Sequence, residues 1–541
     1  MIILGISGGH DANWCVVQDG VLLGAFEKER FTRRRHDSGE VMSLIGRTLK
    51  YLGVDPNKID MIASSEPVHR GTESGLERIR GCIYKRPDQW QSQVVKCFGR
   101  ELPCISVPHH LAHAAYAHYT GNSYETAVIT WDGGGDFYTE DAYSSTTVSS
   151  WRGAKFEWLE RIDNADFGSL WFMYSRAIFK DANAAGKLMG LAALGSDRMV
   201  DALADRFLVP ARGSLEGAWI IKNCWPDYYW PPFLRETVDW QNPLAQDVAF
   251  AIQAITNHAG LSVSAKVKQW TGHRNLALSG GVALNAYLNT AIRQSGDFDD
   301  VFVPPAVNDG GIAVGCALLA THHVQEVSWP PPARNPIEFT GMAYDQKEIS
   351  AALDRSGLSG RRVTSEEGES IVADALSRNQ VVAWYEGRSE HGPRALGHRS
   401  ILSLPSTTAM RERLNRDIKF REPFRPVAPV VLAGEASHYF EMDRPSPYML
   451  YITKGRACTA DCAPAALHVD HTARVQTVEP DCSLGRLLQR VGKLTGTSML
   501  LNTSFNVNAP IVETPADAID AFLKVPLDML YLDGTLVERP K

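Results

Sequence analysis

The sequence predicts an α/β protein built from two domains, and three observations carry that expectation. The chain has 541 residues, too many for one hydrophobic core, and its 44% hydrophobic and 22% charged content is ordinary globular composition. In the amino-terminal half, strand-like apolar runs enter glycine turns three times. A stiff proline-rich stretch, SWPPPARNP (328–336), then interrupts the chain. The expected division is an amino-terminal domain over residues 1–327, a linker over 328–345 and a carboxy-terminal domain over 346–541.

Charge and cysteine usage exclude several classes. A net charge of -7 argues against a general nucleic-acid binder, which would carry a basic excess over a whole face. The 9 cysteines are scattered without CxxC pairs, which suggests neither a disulfide framework nor a zinc knuckle and fits a reducing compartment. MIILGISGG runs from the first Met straight into a buried-strand pattern, and no apolar run approaches the ~20 residues of a membrane span. A cytoplasmic protein with no membrane partner is expected.

Taken in order, Ile2 to Ile6 reads as a buried strand and Ser7 to Asn13 as a tight turn. Trp14 to Val17 and Val21 to Phe26 follow as strands joined by Asp19-Gly20. AVITWDGGGDFY repeats the pattern, a strand running into Asp132, Gly133, Gly134 and Gly135, and NLALSGGVALN (275–285) is a strand running into Ser279, Gly280 and Gly281 and a helix start. Glycine lets backbone N–H groups approach phosphate oxygens closely, and a following helix adds the positive end of its dipole. Singly, each is an ordinary turn. The three in order resemble the actin-like, sugar-kinase and Hsp70 ATPase fold, which implies that the first two turns face phosphates and the third faces a nucleoside.

Between the turns, VPHHLAHAAYAHY reads as an Ala-rich helix on which His109 and His113, four residues apart, share a face. They are either packed histidines or a metal clamp that Asp132 and Asp309 would complete with hard oxygen donors, a mixed set open to Fe, Mn, Zn or Mg. His110 and His118 are read as structural. His10, inside the first turn, is either a turn histidine or a general base toward a hydroxyl. Lys187 in AAGKLMGLAALG sits between glycines but lacks the P-loop spacing. The basic stretch Arg78 to Arg100 and the aromatic loop Trp219 to Trp240 are acceptor determinants or packing insertions.

The carboxy-terminal half is marked by cations. From Glu386 to Pro429, Arg388, Arg394, Arg399, Lys419, Arg421 and Arg425 alternate with Gly, Pro and apolar residues, which suits an oxyanion pocket. Arg411, Arg413 and Arg416 fall on a polar helix and read as a solvated face. HTARVQTV adds Arg474, and LNTSFN places Asn502, Ser504 and Asn506 in a turn after an apolar strand. Cys458, Cys462, His468 and His471 match no familiar zinc spacing.

HHLAHA, WDGGGD, GKLMGLA, LSGGVALN, NDGGIAVG, EHGPRALGHRSIL, KFREPFRPVAP, HTARVQTV and LNTSFN, in that order, resemble the O-carbamoyltransferase family of nodulation and antibiotic biosynthesis. The resemblance implies an actin-like, duplicated amino-terminal domain similar to the tRNA threonylcarbamoyladenosine transferase, joined to a YrdC-like α/β domain. It implies that carbamoyl phosphate is cleaved in the YrdC-like domain. The carbamate attacks the α-phosphate of ATP, with Mg, and the resulting carbamoyl-adenylate passes to the first domain, where an acceptor hydroxyl takes the carbamoyl group. By motif, Arg394, Arg399, Lys419, Arg425, Arg474, Asn502 and Ser504 bind carbamoyl phosphate and ATP, Arg394 and Lys419 among them being catalytic. Gly134, Gly135, Lys187, Gly280, Gly281 and Asn285 would hold the adenylate. His109, His113, Asp132 and Asp309 would hold iron or another divalent ion, and His10 would assist transfer. The segment ERFTRRRHD resembles a family motif near the adenylate, with Arg35 where Lys is common, and Asn508-Ala509 departs from a Gly-containing turn. The acceptor implied is a hydroxylated small molecule such as an antibiotic or other secondary metabolite. The alternatives are tRNA modification by the same chemistry and a non-enzymatic nucleotide-binding regulator.

Overall fold

A computed structural model describes residues 1–65, 88–135, 137–139, 142–143, 145–222, 239–330 and 337–539. Much of the basic stretch that ends at Arg100, most of the aromatic loop and most of the proline-rich stretch lie outside the described residues. The chain divides into two units, Met1–Lys28 with His36–Ile337, and Glu29–Arg35 with Glu338–Lys541.

The first unit contains two sheets of one topology. In the first, β1 (Ile2–Ser7), β2 (Asn13–Gln18) and β3 (Val21–Glu27) form an antiparallel meander. β4 (Met61–Ser64) joins β1 in parallel, β5 (Gln91–Cys97) forms the edge, and β6 (Arg100–Ser106) runs parallel to β4, giving the order β3-β2-β1-β4-β6-β5. In the second, β7 (Glu125–Trp131), β8 (Thr146–Arg152) and β9 (Lys155–Arg161) form the meander. β10 (Asn275–Ser279) is parallel to β7 and β11 (Asp300–Phe302) is parallel to β10, so the order β9-β8-β7-β10-β11 repeats the five strands β3-β2-β1-β4-β6 of the first sheet, which adds β5 at its edge. This duplication is what an actin-like domain requires, and it follows from the pairing itself.

Two helices fill the core beside these sheets. α1 (His109–Thr120) is buried along almost its whole length because its Ala residues present little bulk. The long helix α2 (Pro243–Thr271) is started by Pro243 at its first position and by Asn242, whose side chain accepts from Leu244 N–H. α3 (Ile312–Leu319) lies against α1 so closely that a Cβ on Gly315 would stand 1.9 Å from the Ala112 carbonyl oxygen. Gly315 therefore permits the backbone approach that sets the spacing of His109 and His113 from the turn before α3.

The second unit is an eight-stranded mixed sheet. Its strands are β12 (Arg361–Arg362), β13 (Val382–Tyr385), β14 (Arg399–Ser403), β15 (Ala428–Leu432), β16 (Gln476–Val478), β17 (Met499–Ser504), β18 (Met529–Leu532) and β19 (Thr535–Glu538), in the order β12-β19-β18-β13-β14-β17-β15-β16. α4 (Ser365–Ser377) and α5 (Ser483–Thr495) supply Val372, Leu376, Leu484, Leu487, Leu488 and Val491 to a core that also contains Trp384, Val430 and Leu500. Sequence continuity assigns residues 29–35 to the amino-terminal domain; the structure groups them with this sheet instead. Arg30 donates to the Gly392 carbonyl at 2.8 Å, and Arg33 donates to the Ile511 and Pro510 carbonyls at 2.7 Å each. No described helix is long and apolar enough to cross a membrane.

Candidate functional site

In the first unit the predicted metal ligands converge. α1 carries His109 and His113 on one face, Asp132 follows the carboxyl end of β7, and Asp309 opens the short turn Asp309–Gly311 before α3. Ligands in sheets of this kind bind at the carboxyl ends of parallel strands, where β7 and β10 both end here. His109 Nε2 lies 3.0 Å from Asp132 Oδ2 and 3.6 Å from Asp309 Oδ1, while His113 Nε2 lies 3.5 and 3.3 Å from the same two oxygens. The four ligand atoms fall within 4.8 Å of one another.

The surroundings aim these groups inward. The second oxygen of Asp132, Oδ1, accepts from the amides of Gly133 at 2.9 Å and Gly281 at 3.1 Å, so Oδ2 is left for the cluster. Gly280 stands at φ +87, and a Cβ there would meet the Trp131 carbonyl oxygen at 2.1 Å, so only glycine lets the third turn close over the second. Ser279 Oγ donates to the His113 carbonyl at 2.9 Å and holds α1 against β10. His113 is fully buried, and its Nε2 makes no hydrogen bond of normal geometry although two carboxylates face it. Burial alone would lower the pKa of His113; Asp132 and Asp309 outweigh it and raise it. For Asp132, burial acts upward and His109 and His113 reverse it, holding the carboxyl well below its usual range. Two imidazole nitrogens and two carboxylate oxygens around an unsatisfied buried nitrogen are a fitting donor set for a divalent cation.

A second group lies in the same unit. His10 Nδ1 is 3.2 Å from Asp11 Oδ2, His36 Nδ1 is 2.7 Å from Asp11 Oδ1, and the two imidazoles stack at 4.8 Å. The hydrogen bond to Asp11 outweighs desolvation and moves His10 up to about 9. Asn13 Nδ2 donates to the Asp11 and Asp309 carbonyls at 2.8 and 2.9 Å, tying this turn to the metal-ligand turn.

The other expected residues of this unit are placed as follows. Gly134 and Gly135 continue the turn after Asp132, and Gly134 has open space where a side chain would stand. The Asn285 side chain caps the helix that begins at Ala286, accepting from Leu288 N–H at 3.0 Å, and exchanges amide hydrogen bonds with Gln253 at 3.1 Å. Lys187 lies on the helix Ala185–Leu191 with its Nζ 5.6 Å from the Phe179 ring centre. His110 Nδ1 faces Thr147 Oγ1 at 3.2 Å and His118 Nε2 donates to the Gly153 carbonyl at 2.8 Å, so both are used in packing.

The second unit gathers cations. Burial, and then Arg425, brings Arg394 down to about 10; burial, and then Arg425, brings Arg421 down to about 9. Burial lowers Arg474 well below its usual value, and Arg394, Arg421 and Arg425 add to the fall. Arg394 and Arg474 form no ion pair among the described residues, and the Nε atom of each is buried without a hydrogen bond. The nearest carboxylate oxygen to Arg425 is Glu422 Oε2 at 3.9 Å. Arg421 and Arg425 have Glu422 beside them, whereas Arg394 and Arg474, like charges held out of water without an ion pair among the described residues, are a site prepared for an anion. A cavity of about 560 Å³ borders Arg421, but Glu412 and Glu422 line it and Arg394 and Arg474 do not, so it is not the anion site.

Arg399 does not join the cluster. It is fully buried at the start of β14, where its guanidinium donates to the carbonyls of Glu386 at 2.6 Å, Gly387 at 3.0 Å, His398 at 3.1 Å and Met342 at 3.2 Å and stacks 3.6 Å over Tyr385. Both terminal nitrogens are thus spent on carbonyls, and only Nε, buried without a hydrogen bond, is left for the oxyanion role expected of it. Lys419 is committed to the LNTSFN turn, donating to the carbonyls of Ser504 and Asn506 at 2.8 Å each and to Asn506 Oδ1 at 2.5 Å, with Ser504 Oγ at 3.3 Å. Burial, then Arg421, Arg35 and Arg425, lower its pKa well below the usual lysine value. Asn502 is buried and braces the cationic loop, donating to the Ala395 carbonyl at 3.2 Å and Gln476 Oε1 at 2.7 Å. Arg411 and Arg413 are not a free solvated face: they donate to the Leu467 carbonyl and, at 3.0 Å, to Asp528. Arg35 lies with the second unit, where it donates to the Ala509 carbonyl at 3.4 Å.

Sequence reasoning missed Glu390 and Asp11. One oxygen of Glu390, which is 3% exposed, accepts from the amides of Leu396 at 2.9 Å, His398 at 2.8 Å and Arg399 at 2.9 Å, and so shapes the loop that carries Arg394. The lone acid inside EHGPRALGHR was the available signal.

The family comparison covers most of both units. The family descriptions "Carbamoyltransferase N-terminus" and "Carbamoyltransferase C-terminus" match residues 79–318 and 373–539, and the chain belongs to this carbamoyltransferase family of enzymes. Uncharacterized protein sll1178 of Synechocystis is 31% identical, covering 99% of this chain and 96% of its own length. Nodulation protein NolNO of Sinorhizobium fredii is 30% identical over 100% of this chain and 83% of its own, and nodulation protein NolO of Bradyrhizobium diazoefficiens is 32% identical over 80% and 78%. Among solved structures, full-length HypF in a phosphate- and nucleotide-bound form is 17% identical, with a TM-score of 0.32 over 61% of this chain and 56% of that one.

Proposed function

We propose that the protein is an ATP-dependent O-carbamoyltransferase that uses carbamoyl phosphate and passes a carbamoyl-adenylate to the hydroxyl of a small-molecule acceptor. The observation that carries the reading is the pair of buried cations without an ion-pair partner among the described residues of the second unit, Arg394 and Arg474, in a chain of the carbamoyltransferase family. Carbamoyl phosphate and the ATP phosphates are the anions that fit it, with Arg394, Arg421, Arg425 and Arg474 as binding cations, Arg394 and Lys419 as catalytic groups and Ser504 orienting the substrate. The fold expected of this unit is YrdC-like. Carbamate is short-lived and a poor electrophile, so joining it to AMP supplies a leaving group, provided water is kept out.

In the first unit, His10 takes the acceptor's proton as the hydroxyl oxygen attacks the carbamoyl carbon, and AMP departs. The amides of Gly134 and Gly135 bind its phosphate, those of Gly133, Gly280 and Gly281 being spent on Asp132 Oδ1 and the Val307 carbonyl, and Asn285 is the residue expected at the nucleoside. His109, His113, Asp132 and Asp309 hold the divalent ion, iron or Mn, Zn or Mg. Such an ion supplies positive charge to the departing phosphate oxygen.

The relatives named as nodulation proteins support a small hydroxylated acceptor, with antibiotic-type metabolites in the same chemical range, and the chain's net charge of -7 disfavours bulk tRNA. The test supplies ATP and 14C-labelled carbamoyl phosphate with a panel of hydroxylated small molecules and unmodified tRNA. Labelled ester on a small molecule, with one pyrophosphate released per ester, supports the reading. Label on tRNA alone, or ester formed without pyrophosphate, refutes it.

A further inference from the structure

We infer that Asp11 and His36 are a positioning pair for His10, fixing its proton on Nδ1 and presenting Nε2 to the acceptor hydroxyl. The inference rests on His10 acting as the base of the transfer step. Asp11 divides its two oxygens: Oδ2 takes His10 Nδ1 at 3.2 Å and the Asn308 amide at 3.0 Å, and Oδ1 takes His36 Nδ1 at 2.7 Å. A carboxylate has no hydrogen to give, so each imidazole must donate from Nδ1, and a neutral His10 is thereby left with an unprotonated Nε2.

His36 does more than cap the second oxygen. Its ring stacks on that of His10 at 4.8 Å with 23° between the planes, so one residue sets both the carboxylate's orientation and the plane of the base. Its own place is held by backbone: the Ala12 amide donates to the Asp37 carbonyl at 3.0 Å and the Gly39 amide to the Gly8 carbonyl at 2.7 Å. Asp11 and His36 both adopt the left-handed region, at φ +56 and +55, conformations that a local hydrogen-bonding role explains better than chain economy does. In the step so assisted, the acceptor O–H proton goes to His10 Nε2 and the acceptor oxygen bonds to the carbamoyl carbon. The bond from that carbon to the AMP oxygen breaks with its electron pair leaving on AMP. Asp11 stays ionised throughout.

The experiment labels the histidines of the full chain with 15N and reads tautomers by long-range 1H–15N correlation, with the His10 signals assigned from the His10→Gln variant. Wild type should show His10 protonated at Nδ1 in its neutral form. Asp11→Asn, and Asp11→Ala where it folds, should move the proton toward Nε2. In transfer assays, His36→Ala should lower kcat by about 10-fold, a fraction of what general-base assistance contributes, with less than a twofold change in acceptor KM. His36→Gln, whose amide still donates to Asp11 Oδ1, should recover most of that loss. An unchanged His10 tautomer in Asp11→Asn overturns the inference, as does a His36→Gln enzyme no better than His36→Ala. Because the tautomer is read without turnover, absence of any carbamoyl transfer would strike the proposed function and leave the positioning pair separately decided.

Discussion

At the scale of single residues, a buried cation without a partner costs stability until its anion arrives. Arg474→Met should therefore raise the thermal unfolding temperature of the free protein, since removing an uncompensated buried charge is favourable. It should also weaken the stabilisation by carbamoyl phosphate, which in wild type reaches about 2.7 kcal/mol at a hundredfold excess over Kd. Differential scanning fluorimetry with and without the ligand measures both effects. His10 gives a pH prediction. Its pKa is raised from 6.5 to about 9, chiefly by the hydrogen bond to Asp11, so its contribution to stability is fully present below 6.5 and is lost as pH rises through about 9. A base must be neutral, so the transfer rate should rise across that same window. The pH–rate profile of Asp11→Asn should shift toward 6.5.

At the scale of elements, α1, the turn after β7 and the turn before α3 build the His/Asp cluster, and their sequence offered it as one of two readings. The four-residue spacing of His109 and His113 and the glycines around Asp132 report helix periodicity and close backbone approach, which are local properties. Gly280→Ala should disrupt the cluster, because φ +87 and a Trp131 oxygen at 2.1 Å leave no room for a methyl group. His113→Ala should lower bound divalent metal, read by plasma mass spectrometry, from near stoichiometric to a trace without unfolding the chain. The cationic loop was less legible. Its charge and glycines pointed to an anion, but which arginines face the anion depends on tertiary burial. Arg399 stands at the head of a strand in mid-sheet, where it must spend its donors on carbonyls. Arg399→Met should thus destabilise the second unit by about 3 kcal/mol or more through unsatisfied carbonyls, measurable by urea unfolding.

At the scale of the whole molecule, the duplicated sheet order and the mixed eight-stranded sheet agree with an α/β expectation drawn from three glycine turns and a proline-rich interruption. The excursion of Glu29–Arg35 into the second unit was invisible in sequence, because only long-range bonds from Arg30 and Arg33 reveal it. That excursion ends at Arg35, and the next residue, His36, belongs to the first unit, where its ring faces Asp11. The central claim is that activation and transfer occupy different units and are linked by carbamoyl-adenylate. The most direct measurement assays both half-reactions in Arg394→Ala and His10→Ala enzymes. The first is pyrophosphate release from ATP and carbamoyl phosphate without acceptor; the second is ester formation from supplied carbamoyl-adenylate. The account predicts that Arg394→Ala loses only the first and His10→Ala only the second. Equal loss of both steps in both variants would contradict it.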